Sequence, residues 1–213
     1  MPTSPDLTLY GLRLSGHSHR AELMLSLLGL PYRFEAVDLL GGEQKRPAFL
    51  KLNPFGTVPV LRDGEAVVAD SAAILVYLAL KYDPERVWLP RDPLAAAQVQ
   101  RWLSVAQGPV FNGPCKARLV KVFDLPHDHA RAVEEAGRLL EVLDETLGET
   151  PYLTGGRANL ADVAVYSYVA KAPEGGVTLE PFANVTAWLR RVEALPRFLP
   201  MPAAHAEAEA PAA

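Results

Sequence analysis

Asn53-Pro54-Phe55-Gly56-Thr57-Val58-Pro59-Val60-Leu61 is the stretch on which the fold of this chain turns. Asn53-Pro54 ends a short helix expected over 47–52, because a residue before proline avoids the helical region. Val58 to Leu61 reads as a strand, yet Pro59 removes a ladder hydrogen bond. An edge position resolves the conflict. So does a cis Val58-Pro59 peptide, an uncommon and usually deliberate feature. The cis form would leave the Val58 N–H and C=O free to pair with an extended ligand, as in strand addition.

Downstream, Ala66-Val67-Val68-Ala69 is a second apolar run, and Asp63-Gly64 between the two runs signals a hairpin. Asp70-Ser71 then opens a helix expected over 71–82. Upstream, Leu7 to Tyr10 is β-prone and a loop spans Gly11 to Gly16. Ala21, Met24, Leu25 and Leu28 share one face of a helix over 18–28, and Gly29 suits its end. Tyr32 to Val37 alternates as a strand. The first 82 residues therefore read β-α-β, α, β-β-α.

Residues 83–92 hold two prolines, and with Pro93 the stretch reads as a linker. Beyond it the strand signals stop. Helical periodicity runs over 93–107, 128–147, 160–170 and 185–195, with Ala132, Ala136, Leu139, Leu140 and Leu143 as one buried stripe. The fold class expected is α/β plus all-α. Its parts are a domain over 1–82, the linker, a helical domain over 93–202 and a flexible tail over 203–213.

Apolar residues make up 49% of the 213, charged residues 22%, and the net charge is -4. A nucleic-acid binder calls for a basic patch, and none stands out. The single cysteine, Cys115, excludes an intrachain disulfide and a CxxC zinc site. No metal is expected. Met1 to Leu7 lacks a basic and an apolar region, so no secretory leader is expected. No apolar run approaches the roughly 20 residues of a membrane helix.

Three places carry candidate chemistry. Leu14-Ser15-Gly16-His17-Ser18-His19-Arg20 joins the first strand to the first helix. A helix start offers unpaired N–H groups and partial positive charge, which suits an anion such as a thiolate. Ser15 adds a hydroxyl, although Ser15 and Ser18 also serve as ordinary caps. His17 is read either as a donor near a sulfur or as a loop histidine, and His19 and Arg20 as a solvated or salt-bridged face. Val58-Pro59 is the second place. Asp70-Ser71 is the third: Asp70 suits an ammonium, while Ser71 with helix N–H groups suits a carboxylate, and capping is the alternative.

The order of these signals resembles the glutathione S-transferase superfamily over nearly the whole chain. Tyr10 to Tyr82 is similar to its thioredoxin-like half. Asn159-Leu160-Ala161-Asp162 resembles its buried capping box, with Asp162 reaching back to Asn159. Ala187-Trp188-Leu189 and Glu193-Ala194-Leu195-Pro196 resemble bacterial members.

The resemblance implies a glutathione transferase in which glutathione, the substrate, lies across the first half. Val58 would pair with its cysteinyl unit, Pro59 would be cis, and Asp70 and Ser71 would hold the γ-glutamyl end. Ser15 is placed like the sulfur-binding serine of the serine-type classes, with His17 and Ser18 as neighbouring candidates. Thr57 stands where many members carry a cation or Gln for the glycyl carboxylate, and Lys51 or Asn53 would substitute. A free thiol with a pKa of about 8.5 is roughly 3% thiolate at pH 7. A drop of roughly two units makes it about three-quarters thiolate, a gain of roughly 25-fold. The loop has no cysteine, which argues against exchange through a protein thiol.

The electrophilic co-substrate is unidentified; Leu14, Phe111, Asn112 and Arg118 are the residues expected at its pocket. The resemblance further implies a cytoplasmic homodimer in detoxification, with no nucleic-acid or membrane partner. The alternatives are glutathione-dependent peroxide or disulfide reduction, or a non-catalytic glutathione-binding or protein-interaction module.

Overall fold

The computed structural model describes residues 6–204, which fall into two units. The first comprises residues up to Glu85 together with Pro196–Ala203; the second runs from Arg86 to Leu195 and takes in Ala204. Most of the expected tail lies outside the described residues.

In the first unit the elements are β1 (Leu7–Gly11), α1 (Gly16–Leu27), β2 (Arg33–Ala36), α2 (Pro47–Leu50), β3 (Val60–Asp63), β4 (Ala66–Ala69) and α3 (Ser71–Tyr82). The sheet order is β2-β1-β3-β4. β1 runs parallel to β2 and antiparallel to β3, and β4 closes the hairpin. This is the thioredoxin-like arrangement. Leu9, Leu61 and Val68 stand opposite one another across three strands, so one register sets a shared apolar face. On the other face Val37, Phe49 and Val60 form a buried cluster that Tyr10, Leu52, Val58 and Ala69 cover. Asp63 fastens the hairpin to α3 by accepting from Tyr77 and Tyr82 hydroxyls and from Lys81.

α1 departs from the expected one-sided stripe. Ser18 through Leu25 are all buried, including His19, Arg20 and Glu22. His19 and Arg20 are therefore not a solvated face. Part of the cover comes from Pro196–Ala203, of which 196–202 were expected with the helical domain and Ala203 with the tail. His19 Nε2 bonds the Leu199 carbonyl at 2.9 Å, and Ser26 Oγ donates to the Arg197 carbonyl at 2.7 Å.

The second unit contains α4 (Pro93–Gln107), a π-helical turn (Phe111–Cys115), α5 (Lys116–Phe123), α6 (His129–Glu149), α7 (Leu160–Ala170) and α8 (Ala183–Glu193). The five stripe residues of α6 are all buried, as is Trp102. Helix through 111–123 was not among those expected from the periodicity. The π turn absorbs the missing Pro114 N–H. Gly113 is needed there: a Cβ would come within 2.7 Å of the Ala136 backbone.

Candidate functional site

The turn into α1 gathers three of the predicted side chains. Ser15 is the N-cap, partly exposed, and its Oγ accepts from the Ser18 N–H at 3.4 Å, a long bond. Ser18 is fully buried and its Oγ accepts from the Leu12 N–H at 3.1 Å. Ser18 thus closes the loop from inside, and the expectation that it faces a ligand is corrected. Arg13 braces the same loop: it pairs with buried Glu22 at 2.9 Å, while its guanidinium lies 4.2 Å from the Phe34 ring centre. Tyr32 donates to the same Glu22 oxygen. Burial, then the Glu22 charge, pushes the Tyr32 hydroxyl well above its usual range.

His17 reaches across to the start of α3, with Nδ1 3.2 Å from Ser71 Oγ. Arg20 Nη1 donates to the same oxygen at 3.4 Å. Arg20 cannot accept, so Ser71 accepts from it and keeps its own proton. In the tautomer in which that proton is given to His17 Nδ1, the imidazole N–H lies on Nε2. Burial, and then the nearby Arg20 charge, lowers the His17 pKa to about 3. The ring is neutral at physiological pH.

The second predicted place has a cis Val58-Pro59 peptide. The Val58 main chain makes no hydrogen bond among the described residues. Asn53 is corrected here. It is buried, its amide donates to Thr57 O and Oγ1 at 2.8 and 2.9 Å, and its Oδ1 accepts from the Phe55 N–H. Asn53 fastens the loop, with Thr57 as its partner, and has no group to spare for a carboxylate. Lys51 is exposed one turn away. Lys45, which sequence reasoning missed, donates to the Phe55 and Gly56 carbonyls at 3.3 and 3.1 Å. No local pattern marks it; the loop's return brings it there.

Asp70 has φ 79°, in the left-handed region, and caps α3 by accepting from the Ala72 and Ala73 N–H groups. A non-glycine residue held there stores strain, and such residues cluster at functional sites. Ser71 beside it is buried under His17 and Arg20.

In the helical unit, Arg118 is corrected. It is buried and its Nε donates to Glu174 at 2.7 Å, so it is committed to an internal ion pair. Burial raises the Glu174 carboxyl, but Arg118 and Lys171 outweigh it and hold the group below the usual range. Asn112 accepts from Lys116 at 2.9 Å. Phe111 lies in the π turn, under the Lys116 ammonium, and Leu14 in the α1 loop; both are partly buried. At α7, the Asn159 N–H donates to Asp162 Oδ2 at 2.9 Å, and Asn159 Oδ1 accepts from the Ala161 N–H. Asp162 Oδ1 also accepts from Leu153 N and Trp188 Nε1. Burial pushes its carboxyl up against these donors. Among the described residues no group of His, Cys, Asp and Glu could hold a metal, and no helix is long and apolar enough to cross a membrane.

Comparison with known proteins agrees with this geometry. The family model of the glutathione S-transferase N-terminal domain matches residues 14–81, and that of its C-terminal domain matches 125–196. Glutathione S-transferase 3 of Zea mays is 33% identical over 90% of this chain and 91% of its own. A glutathione S-transferase structure from Pseudomonas fluorescens superposes with a TM-score of 0.85 at 35% identity, covering 92% of this chain and 98% of that one. A glutathione transferase homologue from Drosophila mojavensis, solved with bound glutathione, superposes with a TM-score of 0.81 at 29% identity, over 90% and 89%. With both domain models matched in order and a relative 33% identical over 90% of the chain, this protein belongs to the glutathione S-transferase superfamily.

Proposed function

We propose that glutathione lies along Val58 and Pro59, with its sulfur at the start of α1 and its γ-glutamyl end at Asp70 and Ser71. The unpaired Val58 main chain carries this reading, since a strand-like ligand would complete it. Ser15 Oγ–H donates to the sulfur, and the N–H groups of α1 add partial positive charge, so the thiolate is favoured over the thiol. The His17 Nε2–H is a second neutral donor. Lys45 and Lys51 supply the positive charge for the glycyl carboxylate that Thr57 lacks.

The reaction class is that of the family: a glutathione transferase forms a bond between the glutathione sulfur and an electrophilic carbon. The thiolate contributes the electron pair. In a substitution the leaving group departs with its own pair; in an addition a proton completes the product. The protein acts as a cytoplasmic homodimer in the removal of reactive electrophiles. Sedimentation at micromolar concentration is expected to return twice the chain mass.

The test is Ser15→Ala, read by ultraviolet titration of enzyme-bound glutathione and by turnover with a generic aryl halide. The bound thiol pKa should rise and turnover fall by more than tenfold, about the worth of one charge-assisted hydrogen bond. Ser18→Ala should leave that pKa in place and lower stability by about 1 kcal/mol, because the half-buried Leu12 N–H loses its acceptor. Unchanged turnover in Ser15→Ala would reject Ser15 as the donor.

A further inference from the structure

We infer that the helical unit carries a binding site for a small organic anion, in the cleft between the start of α6 and the stretch that leads from Phe111 into α5. The cleft has a volume of about 290 Å³ and is bordered by Asn112, Lys116, His127, Asp128, Arg131 and Glu135. That is near the lower end of the range for small-molecule sites. Three nitrogen cations or potential cations from three separate segments meet there: Lys116 on α5, His127 on the connecting loop and Arg131 on α6.

What distinguishes the site is which charges are already used. Asp128 Oδ1 accepts from the Arg131 N–H at 3.0 Å as the cap of α6. Glu135 lies 3.8 Å from Arg138, on the same helix. Each carboxylate thus has one partner on α6, although both keep their negative charge and Asp128 keeps its second oxygen. The Arg131 guanidinium and the His127 ring make no hydrogen bond or ion pair among the described residues. Lys116 gives one bond to Asn112 Oδ1, which leaves two ammonium protons and the Asn112 amide as donors. A guanidinium fork beside an ammonium matches the oxygens of a carboxylate or a phosphate.

None of the cleft's residues is among those proposed for glutathione, all of which belong to the other unit. It shares only Asn112 with the co-substrate pocket expected from the sequence, since Leu14, Phe111 and Arg118 do not border it. Carboxylate and phosphate share the chemistry, and the experiment separates them.

Amide signals of Lys116, His127 and Arg131 would be followed by NMR in the full chain with glutathione saturating. Sodium malonate or inorganic phosphate would be titrated at constant ionic strength against sodium chloride. Saturable shifts at these residues are expected with one or both anions and not with chloride. Malonate alone identifies a carboxylate ligand, phosphate alone a phosphoester. Arg131→Gln and Lys116→Gln should each weaken binding by about tenfold or more, with Arg131→Lys in between. Equal thermal midpoints for these variants would show that folding is intact. Shifts that chloride reproduces, or that survive both glutamine substitutions, would overturn the site.

Discussion

Ser15 and Ser18 are one helical turn apart, and local pattern treats them alike. The structure separates them by partner: Ser18 is spent on Leu12, while Ser15 holds only a 3.4 Å bond and can turn to a ligand. His17 is separated from an ordinary loop histidine in the same way, by Ser71 and Arg20. Its lowered pKa has a consequence for stability. In the unfolded chain the imidazole takes up a proton below about pH 6.5; in the folded protein it stays neutral down to about pH 3. Between those values the unfolded state binds the extra proton, so stability falls as pH falls. The thermal midpoint of the wild type should drop more steeply from pH 7 to 5 than that of His17→Asn. Parallel curves would show that His17 is not held neutral. At this scale little was legible in advance. Asn53, Arg118, His19 and Arg20 were all misjudged, because the partners of three of them lie 51 to 180 residues away and only Asn53 has a local one.

At the scale of elements, legibility was high where the signal is local. Asp63-Gly64 made the β3–β4 hairpin, and the Asn159–Asp162 spacing made the cap of α7. That cap does more than start a helix. Asp162 draws in Leu153 from the preceding loop and Trp188 from α8, so one carboxylate joins three segments. Asp162→Ala should cost about 3 kcal/mol or more, since three buried donors lose their acceptor. Asp162→Asn should cost less, as one acceptor oxygen remains. Urea denaturation followed by tryptophan fluorescence measures both, and a loss below 1 kcal/mol would mean that water replaces the carboxylate. The helix through Gly113-Pro114 was not legible. Proline normally ends a helix, and the close approach of Gly113 to the Ala136 backbone, which lies 23 residues on, is not written in the local pattern.

For the whole molecule, the unexpected feature is the return of Pro196–Ala203 to the first unit. Met201 is buried there, and the Leu199 and Arg197 carbonyls serve α1. Ending the chain at Leu195 should destabilise the first unit by about 2–4 kcal/mol, from one buried Met and two hydrogen bonds. A thermal scan and proteolysis within 1–85 would detect it; an unchanged midpoint would show that the segment is a bystander. The sequence by itself determined the order of elements in the first half, the division into a mixed half and a helical half, and the family. Periodicity, turn chemistry and caps are interactions between near neighbours, and they are written in adjacent residues. Only the tertiary structure decided which candidate side chains still have an atom to offer. Val58, joined to Pro59 by the cis peptide in the stretch that decided the fold, keeps its main chain unpaired, while Asn53 in the same stretch does not keep its side chain. The reason is physical: a buried polar group must find a partner, and the fold determines whether that partner is protein or ligand.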